Sequence, residues 1–361
     1  MIELIGSCRR STLEELSIIF AILSQRVSLV EELMLENNDI NELPSNALGS
    51  LSVHRLLLWN NGIERIDGDS FHGLGDHLIE LHIREPRLDQ FASNALEELS
   101  ALTDLVVEYT PLNQLPSLRH CGALRSLHID GSFLKELDAD ALHNLPLLKT
   151  VHITNSLVQL LADGSLSHLQ HLENVNFTGN RLTTLHKKSM IDLPRLKIID
   201  LRSNLLDDIN AVVSSLKDFH TLQEIHLDNN RLEHLDAAFV FPALVSLSVS
   251  HNDVASVAAS FEHLPALRHL DLSFNSITAW PTSLFASIST LHDLNVAGNP
   301  VGSVVMDMRR IMGQLPQLRS LNLDNCGFHT ISQDTIGVHP PFIHLSIVQS
   351  KNNWFSLQLS F

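Results

Sequence analysis

The sequence predicts an α/β solenoid, a curved horseshoe with a concave parallel β-sheet, built from about thirteen repeats. Three observations carry that expectation. The first is a six-position template, met first between Leu29 and Pro44 as Val30, Leu33, Leu35, Asn38, Ile40 and Leu43, at offsets 1, 4, 6, 9, 11 and 14. The second is its recurrence. It starts again at Val53, Leu78, Leu102, Leu124, Leu148, Leu172, Leu196, Leu222, Leu244, Leu267, Leu291 and Leu318, at spacings of 22 to 27 residues. The third is composition: 44% of the 361 residues are hydrophobic but only 5% aromatic, so the core is aliphatic.

The elements follow in chain order. Residues 1–29 read as an N-terminal cap helix, with Thr12 as N-cap and Glu15 closing a capping box. Residues 30–341 are the array. Within each repeat, offsets 1, 4 and 6 point into the core, and offsets 2, 3 and 5 point out from a parallel sheet. Residues 342–361 hold a partial repeat, with Phe342, Leu345 and Ile347, and a tail. Three expectations stand open there: Trp354, Phe355 and Leu357 fold over the last repeat, the sequence is truncated, or the uncapped C-terminal edge associates with another subunit. Periods in this range with an LxxLxLxxN core define leucine-rich repeats.

Offset 9 is where the chain leaves the strand. An inward amide there can both donate to and accept from backbone groups that face no water. Asn38, Asn61, Asn180, Asn204, Asn230, Asn252, Asn275 and Asn299 fill it, and Thr110, Ser132, Ser156 and Cys326 are smaller substitutes. Pro86 offers no side-chain partner, so irregularity is expected in repeats three to six. Near offset 19, Phe71, Leu96, Leu142, Leu166, Met190 and Phe285 predict a second apolar row behind the strands. On this scheme Cys121 and Cys326 lie too many repeats apart for a disulfide, and Cys8 lies in the cap.

The array resembles the extracellular type of leucine-rich repeat found in Toll-like ectodomains and Slit. A narrower resemblance lies in SCRRSTLEELSIIFAIL, LIELHIREPRLDQF and LRSLHIDGSFLKEL. These are similar to secreted arthropod proteins labelled Oplophorus-luciferin 2-monooxygenase non-catalytic subunit. The resemblance implies a secreted chain, a signal peptide missing from this sequence, and a cysteine-stapled cap around Cys8. An intracellular scaffold is the alternative location.

Catalytic signatures are absent: the sequence has no GxSxG, HExxH, GxxxxGK[ST] or GxGxxG. The reading is therefore non-enzymatic, with no cofactor and no metal. Forty-one acidic against 24 basic residues argue against nucleic acid, and no apolar run reaches membrane-spanning length. His82, His128, His152 and His226 share offset 5. His128 and His152, with Asp130 and Glu108 nearby, raise the question of a metal or of joint protonation, but two ligands without a third make no zinc site, and they read as ordinary polar strand residues. The outward positions of the first repeats hold Met34, Leu57, Trp59, Val106 and Tyr109, rimmed by Arg55 and Arg84. Such an apolar cluster with charged edges predicts a protein-binding surface. Asn176-Phe177-Thr178 is a glycosylation sequon at offset 5. The expected function is protein binding through the N-terminal repeats; an accessory subunit that stabilises a catalytic partner is the alternative.

Overall fold

The computed structural model describes residues 6–8, 11–48, 51–258, 260–281, 284–303, 313–327 and 344–348. Phe342, Trp354, Phe355 and Leu357 lie outside them. The chain divides into two compact units: Met1–Arg181 with Lys188–Arg195, and Leu182–Lys187 with Leu196–Phe361.

The first unit begins with β1 (Gly6–Cys8) and α1 (Leu13–Arg26). Thr12 Oγ1 accepts from Glu15 N–H while the Glu15 carboxylate accepts from Thr12 N–H, the reciprocal box that the motif predicts. Seven strands follow: β2 (Val30–Glu36), β3 (Val53–Trp59), β4 (Glu80–Arg84), β5 (Asp104–Glu108), β6 (Ser126–Asp130), β7 (Thr150–Thr154) and β8 (Asn174–Asn176). All pair in parallel with sequence neighbours, and β1 adds to the β2 edge.

The second unit holds β9 (Ile198–Asp200), β10 (Glu224–His226), β11 (Ser246–Ser248), β12 (His269–Asp271), β13 (Asp293–Asn295), β14 (Ser320–Asn322) and β15 (His344–Ser346), again parallel and in order. Each of the thirteen template copies thus contributes one strand, and β15 belongs to the partial copy. Helix is sparse among the described residues. On the side opposite the strands the chain runs mostly in turns and two- to four-residue strands, with α2 (Ile209–Leu216) capped by Asp208.

The core follows the template. Val30, Leu33, Leu35, Ile40 and Leu43 are buried, as are most of their counterparts among the described residues of later copies; Phe91, Leu115 and Trp280 at offset 14 are half-buried. The predicted rear row of Phe71, Leu96, Leu142, Leu166, Met190 and Phe285 is buried too. Each such side chain contributes about 1.5–3 kcal/mol by leaving water, and the sum holds strands that have few other interactions.

The asparagine ladder forms as one repeated device. Asn275 Oδ1 accepts from Val254 N–H at 3.0 Å, and its Nδ2 donates to Val249 O at 2.9 Å, one repeat back. Asn230, Asn252 and Asn299 repeat both contacts. Cys326 Sγ donates to Val296 O in the same place, and burial pushes its thiol up to about 12. Cys121 is also buried and free, its thiol raised to about 11 by desolvation.

At Pro86 the structure corrects the sequence. The ladder there is not empty, because the preceding residue supplies it. Glu85 is fully buried, and its Oε1 accepts from Asn61 N–H (3.0 Å) and Nδ2 (2.8 Å). Its Oε2 accepts from Gly62 N–H (3.1 Å) and Ile63 N–H (3.3 Å). Burial raises the carboxyl above the ordinary Glu range, and the Asn61, Ile63 and Gly62 donors offset part of that rise. Ser132 and Ser156 also function, joined Oγ to Oγ at 2.9 Å. Irregularity falls on Thr110 alone among these substitutes: its hydroxyl is buried with no partner.

One backbone feature escaped the template. Offset 8 is left-handed in copy after copy: Asn37, Asn60, Tyr109, Gly131, Asn155, Gly179, Ser203, Asn229, His251, Phe274, Gly298 and Asn325 all have positive φ. Glu85 departs because it precedes a proline, which disfavours helical backbone. Behind two of its rings, Tyr109 and Phe274, the next repeat carries glycine; behind His251 it carries Phe274, whose ring stacks on the imidazole at 4.4 Å. A Cβ on Gly298 would lie 2.6 Å from Phe274 Cδ1, and one on Gly131 would lie 3.2 Å from Tyr109 Cδ1.

Candidate functional site

In the first unit, strand register places Met34, Leu57, His82 and Val106 in one outward row. Met34 and Leu57 are neighbours, but His82 separates Leu57 from Val106. The expected apolar cluster is therefore mixed. Trp59 meets the His82 ring edge-on, with centroids 5.3 Å apart, and its indole N–H is buried without an acceptor. Arg84 lies over the Tyr109 ring, 4.9 Å from the centroid, and Tyr109 is 53% exposed. Arg55 pairs with Glu32 at 2.9 Å.

Glu108 sits between two imidazoles. Its Oε2 is 3.3 Å from His82 Nε2, and its Oε1 is 3.8 Å from His128 Nε2. The His128 and His152 rings meet edge-on at 5.8 Å. Asp130 does not join them; it turns to Thr154 Oγ1 (2.6 Å) and Asn155 Nδ2 (2.7 Å). Among the described residues no group of three His, Cys, Asp or Glu side chains could hold a metal ion. Asn176 is half-buried in β8, and its Oδ1 accepts from Thr178 N–H at 2.8 Å.

The second unit carries a feature that lies outside the expected N-terminal surface. A hollow of about 730 Å³ opens on the outward strand face, lined by residues from Arg202 to His344. Its floor is small and polar: Ser246, Ser248, Asn295, Asn322. Asp228 Oδ1 accepts from Ser250 N–H at 2.8 Å and Ser250 Oγ at 2.6 Å, and also from Ser248 Oγ. Asp271 accepts from Ser273 N–H and, through Oδ2, from Asn295 Nδ2, both at 2.8 Å. His269 Nδ1 lies 2.7 Å from Asp293 Oδ2. The signal in the sequence was Asp and Asn recurring at offsets 5 and 7, which one copy alone does not reveal.

A leucine rich repeat family model matches residues 52–112, 146–206 and 242–301, together just over half of the chain. The chain is 26% identical to podocan-like protein 1 of Mus musculus over 314 residues, covering 85% of this chain and 45% of that protein. It is 30% identical to lumican of Oryctolagus cuniculus over 92 residues, covering 25% of this chain and 45% of that protein. Both are extracellular leucine-rich repeat proteins. A solved Toll–Spatzle complex of Drosophila has a similar fold, with TM-score 0.68 at 20% identity, over 90% of this chain and 46% of that chain. The matches span less than half of each of these relatives.

Proposed function

On the premise that the chain belongs to the leucine-rich repeat family, we propose that it is a secreted, non-enzymatic binding protein. It takes a protein partner on the concave strand face of its N-terminal repeats, behind a cap formed by residues 1–29. The observation that carries this reading is the pairing of an exposed ring and a guanidinium, Tyr109 under Arg84, beside Trp59, Leu57 and Met34. Rings and guanidinium groups of this kind dominate binding energy when a partner excludes water. The Toll structure, a complex with Spatzle, supports a protein rather than a small molecule. Lumican and podocan-like protein support an extracellular setting, in which Asn176 carries a glycan.

The test immobilises the purified chain in secretions of its source organism and compares it with Trp59→Ala. A protein retained by the first is then titrated against both. Loss of about 2 kcal/mol or more in the variant supports the surface; equal affinity refutes it. The narrower resemblance keeps the accessory-subunit reading as a second one, and co-purification of a catalytic chain on the same surface would select it. No helix among the described residues is long and apolar enough to cross a membrane.

A further inference from the structure

We propose that the hollow on the second unit is a separate docking site, and that its occupant is an extended polypeptide segment rich in lysine or arginine. The argument starts from charge. The lining holds three carboxylates, Asp228, Asp271 and Asp293, one guanidinium, Arg202, and three imidazoles, His226, His269 and His344, of which His269 lies 2.7 Å from Asp293. Arg202 is already neutralised: its Nε lies 2.9 Å from both carboxylate oxygens of Asp200. Its charge goes first to Asp200 and only in smaller part to Asp228, and Asp293 has His269 beside it, so Asp228 and Asp271 carry most of the negative potential in a concave space where field lines concentrate.

Shape narrows the occupant. The lining runs from β9 to β15, and at ~4.8 Å between strands this is a path of roughly 29 Å. An extended chain of roughly nine residues at ~3.3 Å each fills it. Small-molecule sites are walled mainly by apolar and aromatic groups, whereas serine, asparagine and aspartate dominate here. A lone metal ion is disfavoured too, because among the described residues no three ligating groups converge. The serines leave room above the sheet, and the carboxylates stand fixed by hydrogen bonds from Ser250, Ser273 and Asn295, so little side-chain entropy is lost on binding.

The test uses a fluorescent nine-residue peptide of alternating lysine and serine, with its glutamate–serine counterpart as control. Anisotropy is read at near-physiological salt, where distant surface charges are screened. The lysine peptide is expected to bind the wild-type chain and to lose about tenfold in affinity to Asp271→Asn/Asp293→Asn, changes that keep oxygen acceptors in place. It should lose less than twofold to Glu97→Gln/Glu136→Gln, which removes equal charge from the other unit, and to Trp59→Ala. Thermal melting of each variant checks folding; if the double variant is unfolded, the change at half-buried Asp293, Asp293→Lys, alone replaces it. Absence of lysine-peptide binding, equal loss in the two charge-matched variants, or equal binding of the glutamate peptide overturns the site. Displacement of the peptide by equimolar spermine overturns the polypeptide assignment.

Discussion

The strands of the first unit and those of the second follow the same template but differ in length. Strands β2 and β3 have seven residues and β4 to β7 have five, while β9 to β15 have three. The cause is a competition for one amide. In β2 to β3 and β5 to β7 the offset-7 residues stay in register, as in Glu36 with Trp59 and Glu108 with Asp130. In four strands of the second unit the same N–H is captured by the offset-5 side chain: Arg202 by Asp200, Ser273 by Asp271, Ala297 by Asn295, Asp324 by Asn322. Ser250 and Val348 turn instead to Asp228 and Asp324 of the preceding copy, and β10, with His226 at offset 5, is short without a capture of this kind. Short polar side chains offer the backbone this local alternative to the sheet. Met, Leu and Val at offset 5 do not. The residue that ends the strand also makes the surface polar, so strand length and surface chemistry change together. The last strand of the first unit, β8, supports the rule: Asn176 captures Thr178 N–H, and the strand stops at three residues.

The largest expected effect lies in the first unit. Glu85→Ala leaves Asn61, Gly62 and Ile63 donors without an acceptor and should cost about 3–5 kcal/mol in urea unfolding. Glu85 also sets a pH dependence. Its folded pKa is raised, so the native state binds the proton more tightly than the unfolded chain. Its contribution to stability is therefore fullest below the unfolded pKa and falls as pH rises through the folded one; the Ala variant should lack that fall. Next comes Asn275→Ala in the second unit, which orphans Val254 N–H and leaves Val249 O only the Asn252 amide, and should cost about 2–3 kcal/mol by the same measurement. A smaller change tests the length rule itself. Val106→Asn should capture Glu108 N–H and cut β5 to end at residue 106, at a cost of about 1 kcal/mol; unchanged backbone chemical shifts at Glu108 would refute the rule. The smallest effect belongs to Thr110→Val. Its hydroxyl has no partner to lose, so melting should stay level or rise, by about 1 kcal/mol at most.

The periodic part of this fold was legible in the sequence because every copy repeats the same physical demand. Leu33, Leu56 and Leu81 must fill the same hole, and Asn230, Asn252 and Asn275 must satisfy the same two backbone groups. What escaped lay one step from the template. Glu85 does the work of an asparagine from the neighbouring position, which position-by-position comparison cannot see. The interruption of Leu57 and Val106 by His82 was readable from offset 5, but grouping residues by type rather than by row hid it. The hollow was passed over because serines and aspartates at outward positions look like ordinary solvated surface until seven strands align them.

The left-handed row has a consequence for how such an array can grow. Repeats of one pattern invite duplication and deletion one unit at a time. Yet Tyr109 lies across Gly131, and Phe274 across Gly298, so each ring reserves the ground of its successor. A second copy of the Phe274 repeat inserted behind the first would set a Cβ 2.6 Å from the Phe274 ring, a demand that the His251 ring, stacked on Phe274 at 4.4 Å, does not make on its own successor. Repeats four and five, and repeats eleven and twelve, are therefore joined in inheritance as couples. A chain built from this one by recombination should gain or lose them two at a time.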